Sequence, residues 1–205
     1  MKVLMINGSP HKNGTTNRAL EEIAVTLQRN GIDSEIITIG NKEISGCLAC
    51  GSCSKTGKCF RNDIVNEIIE KIEQADGLVV GSPVYYAGLN GTLKSLLDRV
   101  FYARKSFDGK PAAAIAVARR AGTTSTVDII NKYFMISNMP VVSSQYWNMV
   151  FGSNGVQAEQ DGEGMQTMRT LGDNMAWLIK CIALGKENGV NLPEREKTER
   201  TNFIK

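Results

Sequence analysis

The feature that most constrains this chain is the regular alternation of short apolar segments with segments whose apolar residues recur at helical spacing. The segment KVLMIN at residues 2–7 is a short apolar run that ends in a Gly-Ser-Pro turn. Such a run is typical of a strand buried on both faces. A helix is predicted next, from apolar residues at i, i+3, i+4 and i+7: Leu20, Ile23, Ala24 and Leu27.

The same rhythm recurs along the whole chain. Further strands are predicted at residues 34–39, 77–83, 111–118 and 141–150, and helical stripes start near residues 64, 93, 127 and 165. Parallel neighbours need a crossover connection, and right-handed crossovers place helices on both faces of a sheet. The sequence therefore predicts an α/β fold with a doubly wound parallel sheet, whose ligands bind at the carboxyl ends of the strands.

Composition narrows the possible partners and the compartment. The chain has 205 residues with 24 basic and 21 acidic side chains, so its formal charge is 24 − 21 = +3. Because no block of like charge occurs, we expect neither a nucleic-acid partner nor a membrane surface. No apolar run could cross about 30 Å of hydrocarbon, and the opening VLMI is followed at once by polar Asn7. These features predict a cytoplasmic protein.

The loop after the first strand is suited to an anion. Residues 8–17 read GSPHKNGTTN and are dense in hydroxyl, amide and small side chains. Amide groups and the positive end of the dipole at a helix start stabilise a phosphate. The spacing matches neither the dinucleotide fingerprint nor the P-loop, because the residue five positions after Gly8 is Asn13. An ordinary capped strand-to-helix loop is the alternative.

Two further strand ends carry features of the same kind. The segment SPVYYAG at residues 82–88 contains adjacent tyrosines, which a flat aromatic ligand would bury. After the next strand, Arg119 and Arg120 precede a small turn, and an arginine there would stabilise negative charge on a reduced flavin ring or a phosphate. The alternatives are tyrosines that pack beneath a loop and a solvated arginine pair.

Four of the five cysteines are crowded into one segment. Cys47, Cys50, Cys53 and Cys59 have the spacing C-x2-C-x2-C-x5-C. This compact spacing suits one [4Fe-4S] cluster, whereas structural zinc sites use two separated C-x2-C pairs. A metal-free segment and a zinc or thiol redox site are the alternatives. In the reducing cytoplasm expected for this chain, clustered thiols are more often metal ligands or redox groups than structural disulfides. The fifth, Cys181, is predicted to be a small core residue of the last helix.

Taken in order, these motifs resemble a known group of proteins. The strand and GSP opening, GSPVYYAGLNGTLKSLLDR at residues 81–99 and ARRAGTT at residues 118–124 resemble the flavodoxin-like NAD(P)H-dependent FMN reductase superfamily. The segment 47–59 is similar to that of the iron-sulfur flavoproteins. The resemblance spans most of the chain, from residue 3 to about residue 185.

The resemblance implies a flavodoxin-like, five-stranded sheet of order 2-1-3-4-5 within an FMN-binding domain at residues 1–185, followed by a polar tail at residues 186–205. It implies phosphate contacts from Ser9, His11, Asn13, Thr15, Thr16 and Asn17. It implies contacts with the flavin ring from Pro83, Val84, Tyr85, Tyr86, Gly88, Arg119, Ala121, Gly122 and Thr123. The implied cluster ligands are Cys47, Cys50, Cys53 and Cys59.

The function implied is that of an FMN-dependent oxidoreductase. It would pass electrons from NAD(P)H or ferredoxin to a quinone, a flavin or another small acceptor, through the cluster. No side chain is expected to be catalytic, because the cofactors carry the chemistry. A nonenzymatic electron carrier and a cluster-free reductase are the alternatives. A homodimer or homotetramer is expected, in which a partner covers Tyr85, Tyr86 and Trp147.

Overall fold

We describe a computed structural model of the chain that covers residues 1–104, 107–196, 199 and 201–203. The strands are β1 (Lys2–Asn7), β2 (Asp33–Thr38), β3 (Gly77–Tyr85), β4 (Gly88–Leu89), β5 (Ala112–Ala118) and β6 (Met149–Phe151). The helices are α1 (Thr15–Arg29), α2 (Cys53–Thr56), α3 (Ile64–Gln74), α4 (Gly91–Ala103), α5 (Thr123–Ile136), α6 (Gly155–Gln160) and α7 (Gly162–Glu187). No helix of the described residues is long and apolar enough to span a membrane.

The sheet confirms the predicted architecture. Its strands are parallel in the order β2-β1-β3-β5-β6, and the two-residue β4 pairs antiparallel with β3. When β4 is set aside, this is the predicted order 2-1-3-4-5. Alternate residues of β1 enter different cores: Leu4 and Ile6 pack towards α3, α4 and α5, whereas Val3 and Met5 pack towards α1 and α7. Both faces of the sheet are therefore covered.

The last strand is shorter than predicted. Only Met149–Phe151 forms a ladder with β5, and Val141 makes an isolated bridge to Ala112. Between them the chain leaves the sheet, because the Ser144 hydroxyl lies 2.7 Å from both the Asn148 side-chain oxygen and the Tyr146 carbonyl oxygen and can donate to either. These local hydrogen bonds replace ladder hydrogen bonds over residues 143–147.

The end of the chain differs from expectation in two ways. The prediction for Cys181 was wrong, because its side chain is exposed. The buried stripe of α7 includes Met175 and Ile179, and a residue two positions beyond Ile179 points away from that face. Helix α7 also runs to Glu187, past the expected boundary at residue 185. Within the expected tail, residues 197, 198, 200, 204 and 205 lie outside the described residues.

Candidate flavin pocket and cysteine pocket

The loop after β1 is fixed against β3 at the carboxyl edge of the sheet. The buried Asn7 side chain accepts a hydrogen bond from the Ser9 amide at 2.9 Å. The Gly8 amide donates to the Gly81 carbonyl at 2.8 Å. Only glycine fits at position 8, because an added Cβ would lie 2.8 Å from the backbone carbonyl oxygen of Gly81. The loop that opens towards the ligand therefore has a rigid base.

Helix α1 begins with groups that lack partners within the fold. Its N-cap residue is Gly14, which supplies no side-chain cap, and the first amides of a helix have no intrahelical acceptor. The Thr15 hydroxyl donates elsewhere, to the Gly152 carbonyl at 3.1 Å. Thr16 Oγ1 is buried and has no hydrogen-bond partner among the described residues. A bound oxyanion would satisfy both the amides and this hydroxyl.

A pocket of about 810 Å³ opens at this edge of the sheet. Its walls come from the last residues of β3 and β5 and from the loops after β1, β5 and β6, and its basic side chains are His11, Lys12 and Arg119. Neither Asp nor Glu occurs among the described residues that line it. Its volume falls in the usual range for cofactor sites, about 300 to 1,000 Å³. The charge distribution favours an anionic ligand.

The predicted flavin-site residues divide into two sets. Those that line the pocket are Ser9, His11, Asn13, Thr15, Thr16, Pro83, Val84 and Arg119. Those that do not line it are Asn17, Tyr85, Tyr86, Gly88, Ala121, Gly122 and Thr123. Asn17 engages protein groups instead: its side chain donates to Glu21 at 2.6 Å and accepts from Asn7 at 3.4 Å.

Several residues of the second set form or support a strained hairpin turn beside the pocket. Between β3 and β4, Tyr86 and Ala87 have φ values of 48° and 57°, as in a two-residue turn that favours Asn or Gly. The Ser125 hydroxyl supports this turn by donating to the Ala87 carbonyl at 2.6 Å. Gly122, with φ of 88°, lies beneath it, and an added Cβ would approach Ala87 Cα to 2.9 Å. The turn holds Tyr86 fully exposed.

Sequence reasoning missed the wall that follows β6. Gly152, Ser153 and Asn154 line the pocket together with Lys12. The Asn154 side chain caps α6 by accepting a hydrogen bond from the Gln157 amide at 2.9 Å. The signal was present as a Gly-Ser-Asn run directly after a strand end, at the edge where the other loops were expected.

The four crowded cysteines line one pocket of their own. Cys47, Cys50, Cys53 and Cys59 surround it with Arg61, and Arg99 and Tyr102 of α4 form another wall. Within the described ranges, no three side chains of His, Cys, Asp or Glu converge closely enough as they stand to hold a single metal ion. Each thiol is free. The segment therefore gathers four sulfur atoms around a shared space without pairing them.

Local hydrogen bonds reach each sulfur atom. Cys47 Sγ accepts from the Ala49 amide at 3.4 Å, and Ala49 has a left-handed φ of 51°. Cys50 Sγ lies 3.5 Å from Ser52 Oγ, and hydrogen bonding with Ser52 lowers the pKa of the Cys50 thiol. The Cys53 thiol lies 3.9 Å from the Tyr102 carbonyl that accepts its hydrogen. The loop backbone is thus shaped around its sulfur atoms.

Arg99 is a site residue that sequence reasoning did not single out. Its side chain is 1% exposed and its Nη1 lies 2.7 Å from Asp63 Oδ2. Its Nε and Nη2 donate to Cys59 Sγ at 3.4 and 3.1 Å. Burial opposes ionisation of Asp63, but hydrogen bonds from Arg99 and the Val65 amide lower the pKa of that carboxyl overall.

A groove joins the surroundings of the two pockets. It has a volume of about 550 Å³ and is lined by Pro10 of the loop after β1, by Tyr85 at the end of β3 and by Ser45. Ser45 lies just before the cysteine segment, and its carbonyl accepts a hydrogen bond from Arg99 at 3.4 Å. The cysteine segment and the pocket edge are therefore neighbours at one end of the sheet.

The fold and the anion-binding edge define a flavodoxin-like, FMN-binding oxidoreductase. The family model of the NADPH-dependent FMN reductases matches residues 1–154. The chain belongs to that family, as the order of its motifs indicated.

Relatives and solved structures agree with this assignment. An iron-sulfur flavoprotein of Methanocaldococcus jannaschii is 35% identical over 193 residues, which covers 89% of this chain and 99% of that protein. An iron-sulfur flavoprotein of Methanosarcina thermophila is 32% identical and covers 91% of this chain and 100% of its own. An archaeal flavodoxin structure shares the fold with a TM-score of 0.61 at 16% identity, covering 88% of this chain and 99% of that chain.

Proposed function

We propose that this chain passes electrons from NAD(P)H or ferredoxin to a quinone, a flavin or another small acceptor, using FMN in the 810 Å³ pocket and a [4Fe-4S] cluster on Cys47, Cys50, Cys53 and Cys59. One observation carries the proposal. All four cysteines line a single pocket, and a groove extends from that region to the edge of the flavin pocket.

The first loop fits the phosphate of FMN. The uncapped start of α1, the unpartnered Thr16 hydroxyl and the side chain of Lys12 face one pocket. Together they supply amide, hydroxyl and ammonium donors to a doubly charged monoester. The walls at Pro83 and Val84 and the exposed hairpin turn beyond them suit a flat ring, with Arg119 at the other side.

The arrangement of the four cysteines suits an iron-sulfur cluster better than a single ion. Four sulfur atoms bound to one zinc ion each lie about 2.3 Å from it and must converge tightly. In a [4Fe-4S] cluster each iron takes one thiolate, so the ligands surround a larger group. Arg61 lines this pocket, and its Nε is buried and has no hydrogen-bond partner within the described part of the chain. A negatively charged cluster would give that group a partner.

These positions indicate separate roles for the cofactors and for the protein residues. Bound FMN would supply two-electron chemistry with a nicotinamide, and a cluster on the four cysteines would supply one-electron transfer. The chain itself orients and shields these groups: the α1 start holds the phosphate, Arg119 offsets negative charge, and the Ser45 segment keeps the cysteines beside the flavin edge. No acid or base of the protein is needed for hydride transfer.

Steady-state kinetics under anaerobic conditions test the proposal. We expect the FMN-loaded, iron-reconstituted protein to oxidise NADPH or NADH with a quinone or free flavin as acceptor. We expect Cys50→Ser to keep FMN but to lose electron transfer to acceptors that draw single electrons. Cys181→Ser, which removes an exposed thiol of α7, is the matched control.

Other outcomes identify the alternatives. Equal turnover by wild type and Cys50→Ser with every acceptor would show a cluster-free reductase. No turnover with either nucleotide, together with rapid reduction by ferredoxin, would favour the electron carrier. A protein that does not bind added FMN would contradict the whole proposal.

A further inference from the structure

The ion pair of buried Arg99 and partly exposed Asp63 lies directly against one of the proposed cluster ligands. Arg99 projects from α4 and reaches Cys59 Sγ with two nitrogen atoms, while Asp63 holds it through two hydrogen bonds at 2.7 and 3.0 Å. An arginine this deeply buried is held in one geometry by its partners. Its charge therefore stays at a fixed distance from the sulfur.

Arg99 also joins the two ends of the cysteine segment. Its Nη1 donates to the Ser45 carbonyl before Cys47, and its other nitrogen atoms reach Cys59 at the far end. A separate clamp holds the Cys59 backbone: Asn66 of α3 accepts from the Cys59 amide at 2.8 Å and donates to its carbonyl at 2.9 Å. Position and charge at Cys59 are thus controlled by different residues.

Resting on the cluster of the proposed function, we infer that Arg99 acts through Cys59 to raise the reduction potential of the cluster, and that Asp63 moderates its effect. Hydrogen bonds to the sulfur atoms and local net charge set cluster potentials. Reduction adds one negative charge, which a buried cation beside a ligand sulfur stabilises. Lys58 of the segment stabilises the reduced cluster less, because its side chain is exposed and pairs with Glu70 at 2.7 Å.

The surrounding structure permits variants that separate charge from folding. Asp63 caps α3 by accepting from the Val65 amide at 3.1 Å, and Asn is as good an N-cap residue as Asp. Asp63→Asn therefore keeps the cap and leaves Arg99 against Cys59 without its carboxylate. The double variant Arg99→Met/Asp63→Asn removes the buried charge pair together, so that no unpaired charge is left in the interior.

The test measures the cluster midpoint potential of the full chain, reconstituted anaerobically, by a titration monitored through the reduced-cluster spectrum. The predicted order is Asp63→Asn above wild type and wild type above Arg99→Met/Asp63→Asn. Opposite shifts from the two variants are not expected if the pair serves only to stabilise the fold. Asn66→Ala is the control: it loosens the Cys59 backbone without changing charge, so the potential of its cluster should match wild type.

Equal potentials in all loaded proteins would overturn the inference, as would a downward shift in Asp63→Asn. If the double variant folds but retains no iron, the inference is decided by the direction in which Asp63→Asn shifts the midpoint potential. The iron and sulfide content of the wild type tests the proposed function and not the role of Arg99. A wild type that binds no cluster refutes the proposed function itself, and the inference about Arg99 fails with it.

Discussion

The Thr15 hydroxyl donates to the Gly152 carbonyl at 3.1 Å and so joins the start of α1 to the end of β6. This contact brings together two walls of the flavin pocket whose residues lie 137 positions apart in the chain. The contact uses the hydroxyl of Thr15, which is the first residue of the helix. The hydroxyl of the next residue, Thr16, remains available to a ligand.

Replacing Thr16 with valine should weaken FMN binding and leave the empty protein as stable as wild type or more so. The buried hydroxyl has no hydrogen-bond partner among the residues that the structure describes, so its removal should cost the apoprotein no hydrogen bond. One lost hydrogen bond to a charged phosphate corresponds to about 2 kcal/mol, or roughly thirtyfold in Kd.

Quenching of FMN fluorescence measures that affinity, and urea unfolding of the apoprotein measures stability. Thr16→Ser keeps the hydroxyl and should bind FMN nearly as wild type does. Equal affinities for the valine and serine variants would show that Thr16 does not contact the phosphate.

Gly122→Ala should disturb the flavin site through the hairpin turn. An added Cβ would lie 2.8 Å from Val84 Cγ1, and the residue has φ of 88°, so the variant combines a clash with backbone strain. Gly31→Ala is the matched control, because φ there is 73° but nothing lies within 4 Å of an added Cβ.

We expect both glycine variants to lose about 1 kcal/mol of unfolding free energy from the left-handed backbone. Gly122→Ala should lose more and should also bind FMN less tightly. Unchanged FMN affinity in Gly122→Ala would separate the hairpin turn from the flavin site.

Glu22 should make stability depend on pH. It bridges α1 and α7 by accepting from Arg18 at 2.7 Å and Arg169 at 2.6 Å. Burial raises the pKa of Glu22, but these hydrogen bonds outweigh it and lower the pKa overall. A lowered folded-state pKa stabilises the protein above the unfolded value of about 4.3 and loses that stabilisation as pH falls through the folded value.

The measurement is the free energy of unfolding of wild type and Glu22→Gln between pH 7 and pH 3. At pH 7 the variant should be less stable by about 2 kcal/mol. The difference should shrink on acidification below about pH 4. A difference that stays constant across this range would contradict the assignment.

The exposed aromatic residues predict self-association. Tyr86 is fully exposed, and Trp147 is 58% exposed with its ring 4.7 Å from that of Tyr146. Light scattering of the FMN-bound protein should give the mass of a dimer or tetramer, and Trp147→Ser should shift it towards the monomer. A monomeric wild type would refute this prediction.

Periodicity in the sequence was sufficient for the fold but not for every element. Apolar runs such as residues 2–7 specify buried strands because both faces of a parallel sheet are covered. The strand after α5 was overestimated, since side-chain hydrogen bonds of Ser144 and Asn148 override apolar residues on either side. Cys181 was misplaced because an apolar stripe fixes the buried face of a helix only to within a residue or two.

The site was predictable where a motif is contiguous and not where distant residues meet. In the loop at residues 8–17 and in the cysteine segment, the functional residues lie close together in the sequence. Arg99 belongs to another helix and reaches Cys59 across 40 positions, and Gly152 reaches Thr15 only after folding. Such contacts depend on packing and have no local signature.

The most direct test of the account is the iron and acid-labile sulfide content of the anaerobically reconstituted protein, measured per chain in wild type, Cys50→Ser and Cys181→Ser. A [4Fe-4S] cluster on these cysteines predicts about four iron and four sulfide per chain in wild type and in Cys181→Ser, and a much lower content in Cys50→Ser. A wild type that binds no more iron than Cys50→Ser would contradict the cluster assignment and leave a reductase that works with flavin alone.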